Sequence, residues 1–423
     1  MIHLGWGAVA VGTYLLGSSG APDPGAAADQ AERESSRTRS SLRDVEGVDD
    51  SSRMTGRRGA TNDSASDLAA LFGSLSLAGG GLDGLAEQAF KSPNPILRRL
   101  AFSQLLEAMT AENAAEIRSK LVEMGAGGSE WNDFHYSWGA LAGEDAFAAA
   151  AASEERDLNA TLSGWASANP GAALAMLDRL PESLAGQRDQ LAEAVVSGLA
   201  DSDRGLATEL VLKLSGEGSR RAADMMRIVA NETLRVEGPE AAARWSQTLP
   251  EGAMKGAAMD RVARDFARLD PRAAAEWAAP LAANDYAAGA VSRVGEQWGR
   301  QDPVAAVTWL REISDGRGQQ AGLRAVFGDW EDSDPVKAGE YLMAMPTSEQ
   351  RDSAISGFAG GYAWQDPQTA IAWASDISDP GLRQQSLTRA GQVYFRRDPE
   401  AARVWLESSD LPAEAQAEVL RGR

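Results

Sequence analysis

The chain of 423 residues contains no cysteine and only two histidines, His3 and His135. Without cysteine it has no disulfide, no thiolate nucleophile and no thiolate ligand for zinc. The sequence also lacks an HExxH arrangement and a GxSxG nucleophile turn. Its glycine run Gly79–Gly81 is not accompanied by the lysine and the serine or threonine of a phosphate-binding loop. We therefore expect a protein that is not an enzyme and that holds no cofactor and no metal.

The chain has fewer basic than acidic residues. The chain carries 61 Asp and Glu residues against 41 Lys and Arg residues, a formal net charge of −20. Such an acidic surface repels phosphate backbones and argues against nucleic acid as a partner. The charge is typical of a solvated surface, and attraction of a basic partner is the more specific interpretation.

Large aromatic residues recur at a fixed interval in the C-terminal part of the chain. The first aromatic series steps by 32 residues and consists of Trp245, Trp277, Trp309, Tyr341, Trp373 and Trp405. The second aromatic series has the same step and consists of Phe266, Trp298, Trp330, Tyr362 and Tyr394. Prolines keep this spacing at Pro239, Pro271, Pro303, Pro335, Pro367 and Pro399. A fixed period of about 20–50 residues indicates a stacked array of structural repeats.

Each repeat reads as a hairpin of two helices. Asp302 supplies an N-cap oxygen, and Pro303 occupies the first helical position, where its missing N–H costs nothing. The other helix carries a small, an apolar and an aromatic residue at four-residue steps, as in Ala290, Val294 and Trp298. Because this spacing keeps the three side chains on one helix face, both aromatic series are predicted to lie in the core.

These patterns predict an all-α fold, a right-handed α-solenoid of about 32-residue helical hairpins. Alanine-rich sequence with few β-branched runs favours helices in the same way. We expect the solenoid to span residues 159–423, preceded by N-terminal capping hairpins at residues 67–158. Within the capping hairpins, Thr110 is the predicted N-cap of a helix that ends at Gly125.

The N-terminal residues have a different composition. Residues 2–16 are apolar and small residues follow them, so residues 1–21 resemble a secretory signal, although no lysine or arginine precedes them. The prediction is an exported, periplasmic or membrane-anchored protein, with residues 2–16 as the membrane tether in the last case. If the stretch is not a signal, the protein is cytoplasmic. Residues 22–66 are rich in Ser, Asp, Arg and Gly and predict a disordered linker.

The helical hairpins of residues 159–423 resemble tetratricopeptide-type repeats at the level of architecture. The tetratricopeptide unit is longer and contains a Gly-Tyr pair that is missing here. The pattern D-P-x-A-A-x-x-W, present from Asp302 to Trp309, also resembles repeats of uncharacterised exported bacterial proteins. The resemblance implies a scaffold and assigns no particular partner.

Three arginines occupy equivalent positions in the repeats, namely Arg261, Arg293 and Arg389. Each precedes a predicted core residue by one position and is therefore expected to face solvent. Packing of their aliphatic stems over neighbouring residues is one interpretation, and contact with the carboxylates of a partner is the other. We take them as candidate partner-binding residues of a non-enzymatic protein-interaction scaffold in the cell envelope.

An acidic cluster around Trp330 is the basis of an alternative hypothesis about function. Its members are Asp329, Glu331, Asp332 and Asp334. A pair of carboxyl groups is the machinery of glycoside hydrolysis, so the alternative is a carbohydrate-active or glycan-binding helical-repeat protein. The competing interpretation is that Asp334 caps a helix and the other three are solvated turn residues. His135, which lies among aromatic residues, is interpreted as a packing residue.

Overall fold

The computed structural model describes residues 81–152 and 155–421, and this part of the chain is all-α, with 22 α-helices and no strand. The predicted signal sequence (1–21), the predicted linker (22–66) and residues 67–80 of the capping hairpins lie outside the described residues. The chain divides into two compact units, residues 1–134 and 135–423. The start of a solenoid at residue 159 stays a prediction.

The first unit contains three helices and the beginning of a fourth, which crosses into the second unit. They are α1 (Gly81–Lys91), α2 (Pro95–Glu107), α3 (Ala114–Glu123) and α4 (Gly128–Ala142). Leu105, Ile117 and Leu121 are fully buried and form part of the core of this unit.

Thr110 caps the turn that leads into α3, as predicted, although the α-helix itself begins only at Ala114. The Thr110 N–H donates to Asn113 Oδ1 at 2.7 Å, and the Asn113 N–H donates to Thr110 Oγ1 at 3.3 Å. This reciprocal pair is the capping-box arrangement, and the Ala114 N–H donates to the Thr110 carbonyl oxygen at 3.1 Å, so the turn runs directly into the helix. The predicted end is confirmed, since Gly125 follows the C-cap residue with a φ of +70°.

The second unit contains eighteen further helices. The first five are α5 (Glu144–Ala151), α6 (Glu155–Ala168), α7 (Pro170–Asp178), α8 (Arg188–Ser202) and α9 (Arg204–Gly216). Six helices that we call the long helices are α10 (Ala222–Glu237), α12 (Ala253–Leu269), α14 (Ala288–Gly299), α16 (Arg317–Ser333), α18 (Glu349–Tyr362) and α20 (Pro380–Arg397). Six helices that we call the short helices are α11 (Pro239–Thr248), α13 (Pro271–Ala278), α15 (Pro303–Glu312), α17 (Pro335–Ala344), α19 (Pro367–Ser375) and α21 (Pro399–Glu407), and α22 (Ala413–Arg421) is the last helix described.

The long helices pack side by side in chain order from α10 to α20. Each short helix packs against the long helix that precedes it, and α11 to α19 also pack against the long helix that follows. The short helices do not pack on each other to a comparable extent. The long helices therefore form one continuous layer, and the short helices lie on it.

Side-chain caps start five of the six short helices, as predicted. The carboxylate of an aspartate accepts a backbone N–H three residues later at 3.0–3.2 Å in the pairs Asp270 to Ala273, Asp302 to Ala305, Asp334 to Lys337, Asp366 to Thr369 and Asp398 to Ala401. Gly238, with a φ of +81°, takes the place of the aspartate before Pro239. Upstream, Asn169 and Asp203 cap α7 and α9 in the same way. The caps fix where each repeat begins.

The two aromatic series meet in pairs between a long helix and the next short helix. The ring centroids lie 6.1 Å apart for Phe266 and Trp277, 6.1 Å for Trp298 and Trp309, 5.6 Å for Trp330 and Tyr341, and 6.4 Å for Tyr394 and Trp405. In the remaining repeat Phe358 contacts Trp373 at 5.3 Å. Three members of the second series are buried, whereas the first series is half-buried at the edge of the core. The prediction that both series lie in the core is therefore confirmed for Phe266, Trp330 and Tyr394. The other members of the two series lie at the edge of the core.

The long helix α18 is the most enclosed of the layer, with residues 352–359 all buried. Its Gly357 packs on the backbone of α16, where an added Cβ would lie 2.1 Å from the carbonyl oxygen of Arg324. On its other side, Ser386 Oγ of α20 donates a hydrogen bond to Ser356 Oγ at 2.9 Å. Small residues therefore allow the close approach of α18 to both neighbours.

Candidate partner-binding surface

The three candidate arginines lie on long helices, on the solvent side of the core. Arg261 is on α12, Arg293 on α14 and Arg389 on α20, and each is followed by a buried residue as expected from the sequence. They differ in whether neighbouring side chains bind them. Arg261 and Arg293 are bound to neighbouring side chains, whereas Arg389 is exposed and forms no ion pair with any described residue.

Arg261 is held by two side chains of the long-helix layer. Its Nη2 lies 2.8 Å from Asp265 Oδ2 on the same helix, and its Nε donates to Asn231 Oδ1 on α10. About a quarter of its side chain is exposed, at 23%. Two nitrogens of the guanidinium are therefore bonded within the protein, while Nη1 is buried without a hydrogen-bond partner among the described residues.

Arg293 belongs to a row of paired charged residues that crosses three long helices and that we call the charged row. Its guanidinium lies 2.6 Å from Glu296 and 3.7 Å from Asp260 of α12. Glu296 also pairs with Arg300 at 2.7 Å, and Arg300 pairs with Asp329 of α16 at 2.8 Å. The hydrogen bond with Asp329 is the main reason why the pKa of Arg300 is raised above its ordinary value. Alternating charges of this kind link α12, α14 and α16 along their solvent side.

Arg324 of α16 also lies on this surface, although the repeat spacing did not predict it. The position equivalent to Arg293 is Ala325, so Arg324 is out of register by one residue. Its Nε is buried without a hydrogen-bond partner among the described residues. Burial, and then the like charge of Arg389, lower the pKa of Arg324 below its ordinary value. A search for basic residues near each repeat position, without a strict period, would have found it.

A groove of about 510 Å³ lies between the N-terminal parts of α10, α12 and α14. Alanines and glycines form much of its lining, and Arg227, Asp260, Asp285 and Tyr286 supply its polar groups. The ammonium group of Lys255 lies 5.1 Å from the centroid of the Tyr286 ring. Asp260 connects the groove to Arg293, so the groove and the charged row form one surface.

The acidic residues around Trp330 do not act as one group. Asp329 is paired with Arg300, and Asp334 caps α17 by accepting the Lys337 N–H at 3.1 Å. Glu331 is buried, with 1% of its surface exposed, and Gln365 Nε2 donates to its Oε2 at 3.1 Å. Burial, followed by the neighbouring Asp332 carboxyl, raises the pKa of Glu331 to about 7.

Glu331 makes stability depend on pH. Its pKa rises from an ordinary value of 4.5 to about 7 on folding, so the folded protein binds the extra proton between these values. Stability is therefore greatest below pH 4.5 as far as this group is concerned, and falls as the pH rises through 7. We expect Glu331→Gln to raise the free energy of unfolding at pH 8 by about 1–2 kcal/mol and to leave it nearly unchanged at pH 4.5. Denaturant titration at both pH values tests this, with the exposed Glu340→Gln as control. An equal effect of the two changes at pH 8 would contradict it.

His135 lies in a buried polar cluster of the second unit. Its Nδ1 is 3.2 Å from Thr161 Oγ1, and its Nε2 is 3.6 Å from Asp157 Oδ2. Thr161 Oγ1 donates to the Asp157 carbonyl oxygen at 2.7 Å, and all three residues are at most 1% exposed. A site this enclosed offers no approach to a substrate, so packing remains the interpretation for His135. Across residues 81–152 and 155–421 no group of three or more His, Asp or Glu side chains could hold a metal ion.

No protein-family model matches the chain, and no curated protein or solved structure is significantly similar to it. Within the described residues, none of the helices combines the length and the apolar character needed to span a bilayer.

Proposed function

We propose that the protein is a non-enzymatic scaffold of the cell envelope and that it binds protein partners along the layer of long helices. The observation that carries the proposal is the serial packing of α10 to α20, which repeats the same surface positions in successive hairpins. In repeat proteins such a layer supplies an extended binding face. We further propose that the hairpins form a right-handed α-solenoid related in architecture to tetratricopeptide-type repeats. The more closely packed long helices then line its inner face.

The charged row and the groove support this proposal. The charged row presents both signs of charge along three helices, on Arg293, Asp260, Arg300 and Asp329. A partner with charged side chains of its own can therefore form ion pairs with these residues. The Ala- and Gly-lined groove adds an apolar contact beside that row. No nucleic acid is proposed as a partner, because the chain has a net charge of −20.

Site-specific photo-crosslinking tests which face binds. A photoreactive amino acid is placed on the long helices at Arg264, Ala325 or Gln385, and on the short helices at Val304, Val336 or Val404. Five of these residues are exposed and Ala325 is half-buried, so every position is near the surface. The proposal expects the same protein to be captured from two or more long-helix positions and to bind again after purification. Capture from the short-helix positions alone would contradict it.

Glu331 favours a second candidate function. Its pKa of about 7, raised by burial and then by Asp332, is that of a general acid, but the side chain is 1% exposed, so a glycan could reach it only if the packing around it opened. We therefore keep glycan binding or glycan hydrolysis as the alternative. Turnover of envelope glycans by the purified protein, abolished by Glu331→Gln and by Asp329→Ala, would replace the scaffold proposal.

A further inference from the structure

Trp364 lies in the turn between α18 and α19, where it is 58% exposed. No other tryptophan that the structure describes is exposed to a comparable extent. At the same position of the repeat, at steps of 32 residues, four other hairpins carry a charged residue, namely Arg268, Arg300, Asp332 and Arg396. The helical fold therefore does not require an aromatic side chain here, and packing in the core does not account for Trp364.

The next long helix, α20, holds this turn in place. The guanidinium carbon of Arg396 lies over the Trp364 ring, 4.9 Å from its centroid. Nη1 of Arg397 donates to the carbonyl oxygens of Trp364 at 2.6 Å and of Gln365 at 2.7 Å. Both the ring and the backbone of Trp364 are therefore fixed before any ligand binds, which lowers the entropic cost of binding.

The ring of Trp364 has one covered face and one open face. Arg396 covers the face that looks toward α20. Because Trp364 is nevertheless 58% exposed, the opposite face and the outer edge of the ring must be open to solvent. An indole held from one side and open on the other is a platform on which a flat apolar group can stack.

The open face looks toward the preceding hairpin, whose turn adjoins that of Trp364. Glu331 at the end of α16 accepts a hydrogen bond at 3.1 Å from Nε2 of Gln365, the residue after Trp364. Asp332, the residue after Glu331, is exposed and occupies the position equivalent to Trp364 in that hairpin. The open face is therefore bordered by a carboxylate on one side and by the exposed amide side chain of Gln365 below.

These surroundings fit a sugar better than a protein. A tryptophan that anchors a protein partner normally lies in a largely apolar contact patch, whereas the equivalent positions on both sides of Trp364 carry the charged residues Asp332 and Arg396. A pyranose ring presents an apolar C–H face to an indole and hydroxyl groups to carboxylate and amide side chains. The net charge of −20 disfavours a polyanionic glycan, so the sugar is expected to be neutral.

We infer that Trp364 and Asp332 form a surface binding site for a pyranose unit of a neutral oligosaccharide. The indole stacks on the C–H face of the sugar, and the carboxylate accepts hydrogen bonds from its hydroxyl groups. The inference goes beyond the scaffold proposal and does not depend on it, because no protein partner takes part. It also differs from hydrolysis at the buried Glu331, since the exposed site binds sugar without any opening of the packing and breaks no bond.

The test is a titration of the full chain with four neutral trisaccharides, chitotriose, cellotriose, laminaritriose and maltotriose. The protein carries 5-fluorotryptophan, and the ¹⁹F signal of Trp364 is identified by its loss in Trp364→Tyr. We expect a saturable shift of that signal with at least one of the sugars, and calorimetry gives the affinity. A shift caused by a crosslinked protein partner, with none caused by any of the four sugars, would assign Trp364 to a protein interface and overturn the inference.

Variants decide whether these two side chains are responsible. Trp364→Ala should weaken sugar binding about tenfold or more, while Trp364→Tyr keeps an aromatic ring and should retain most of it. Asp332→Asn should weaken binding about threefold or more through the loss of a charged acceptor. Leu269→Ala removes a side chain that is 62% exposed from another hairpin turn and should leave binding unchanged. The inference is overturned if none of the sugars shifts the Trp364 signal, or if Trp364→Ala or Asp332→Asn binds sugar as well as the parent does.

Discussion

Trp330→Ala is expected to lower the free energy of unfolding by about 3–5 kcal/mol, the usual cost of deleting a large buried aromatic side chain. Trp330 is 5% exposed, and its ring lies 5.5 Å from Phe327 and 5.6 Å from Tyr341 between centroids. Removing it leaves a cavity where the long helix α16 meets the short helix α17. Denaturant unfolding followed by circular dichroism measures the loss.

Trp364→Ala is the matched control, because the same side chain is removed from a position that is 58% exposed. Trp364 contacts Arg396 by a cation–π interaction at 4.9 Å, which limits the expected loss to about 1 kcal/mol or less. If the two variants lost equal stability, the assignment of the second aromatic series to the core would be wrong at Trp330.

A second large effect is expected at Gly357, where Gly357→Ala should destabilise the protein by about 1–3 kcal/mol or more. An added Cβ would lie 2.1 Å from the carbonyl oxygen of Arg324, and backbone cannot move aside as a flexible side chain can. The helices α16 and α18 must separate, which weakens the buried contacts on both sides. Thermal and denaturant unfolding report the change.

Gly360→Ala, three residues further along α18, should have the opposite sign. No atom lies within 4 Å of its added Cβ, and alanine is the better helix former by about 0.5–1 kcal/mol. The pair therefore separates close helix packing from helix propensity. Equal destabilisation by both changes would be evidence against the close approach of α16 and α18.

Much of the helical architecture followed from the sequence because its signals are local. Asp302 and Pro303 mark a helix start through one hydrogen bond and one backbone angle, and both depend only on adjacent residues. The 32-residue spacing of Trp298 and Trp330 places the two side chains at equivalent positions of successive long helices. Helix starts and the recurrence of each aromatic position could therefore be predicted without coordinates, whereas the pairing of the rings could not.

The features that remained hidden depend on contacts between distant parts of the chain. Arg324 became visible as an unpaired cation only when α16, α18 and α20 were placed together, because it breaks the repeat spacing. The pKa of Glu331 depends first on burial, to which Gly361 and Gln365 of the next repeat contribute, and then on the neighbouring Asp332 carboxyl.

The scaffold proposal is tested most directly by the affinity of the crosslinked partner for two charge-reversal variants. The first changes Arg261, Arg293 and Arg389 of the long helices to Glu. The second makes the same change at three exposed arginines of the short helices, Arg272, Arg311 and Arg403. Both alter the net charge equally, and circular dichroism confirms that helicity is kept. Arg389→Glu alone, which breaks no ion pair among the described residues, is measured beside them.

We expect the long-helix variant to bind the partner at least about tenfold more weakly, a loss of about 1.4 kcal/mol, and the short-helix variant to bind as the parent does. Arg389→Glu should account for part of that loss. Unchanged affinity in the long-helix variant, together with weaker binding in the short-helix variant, would contradict the claim that the long helices form the binding face.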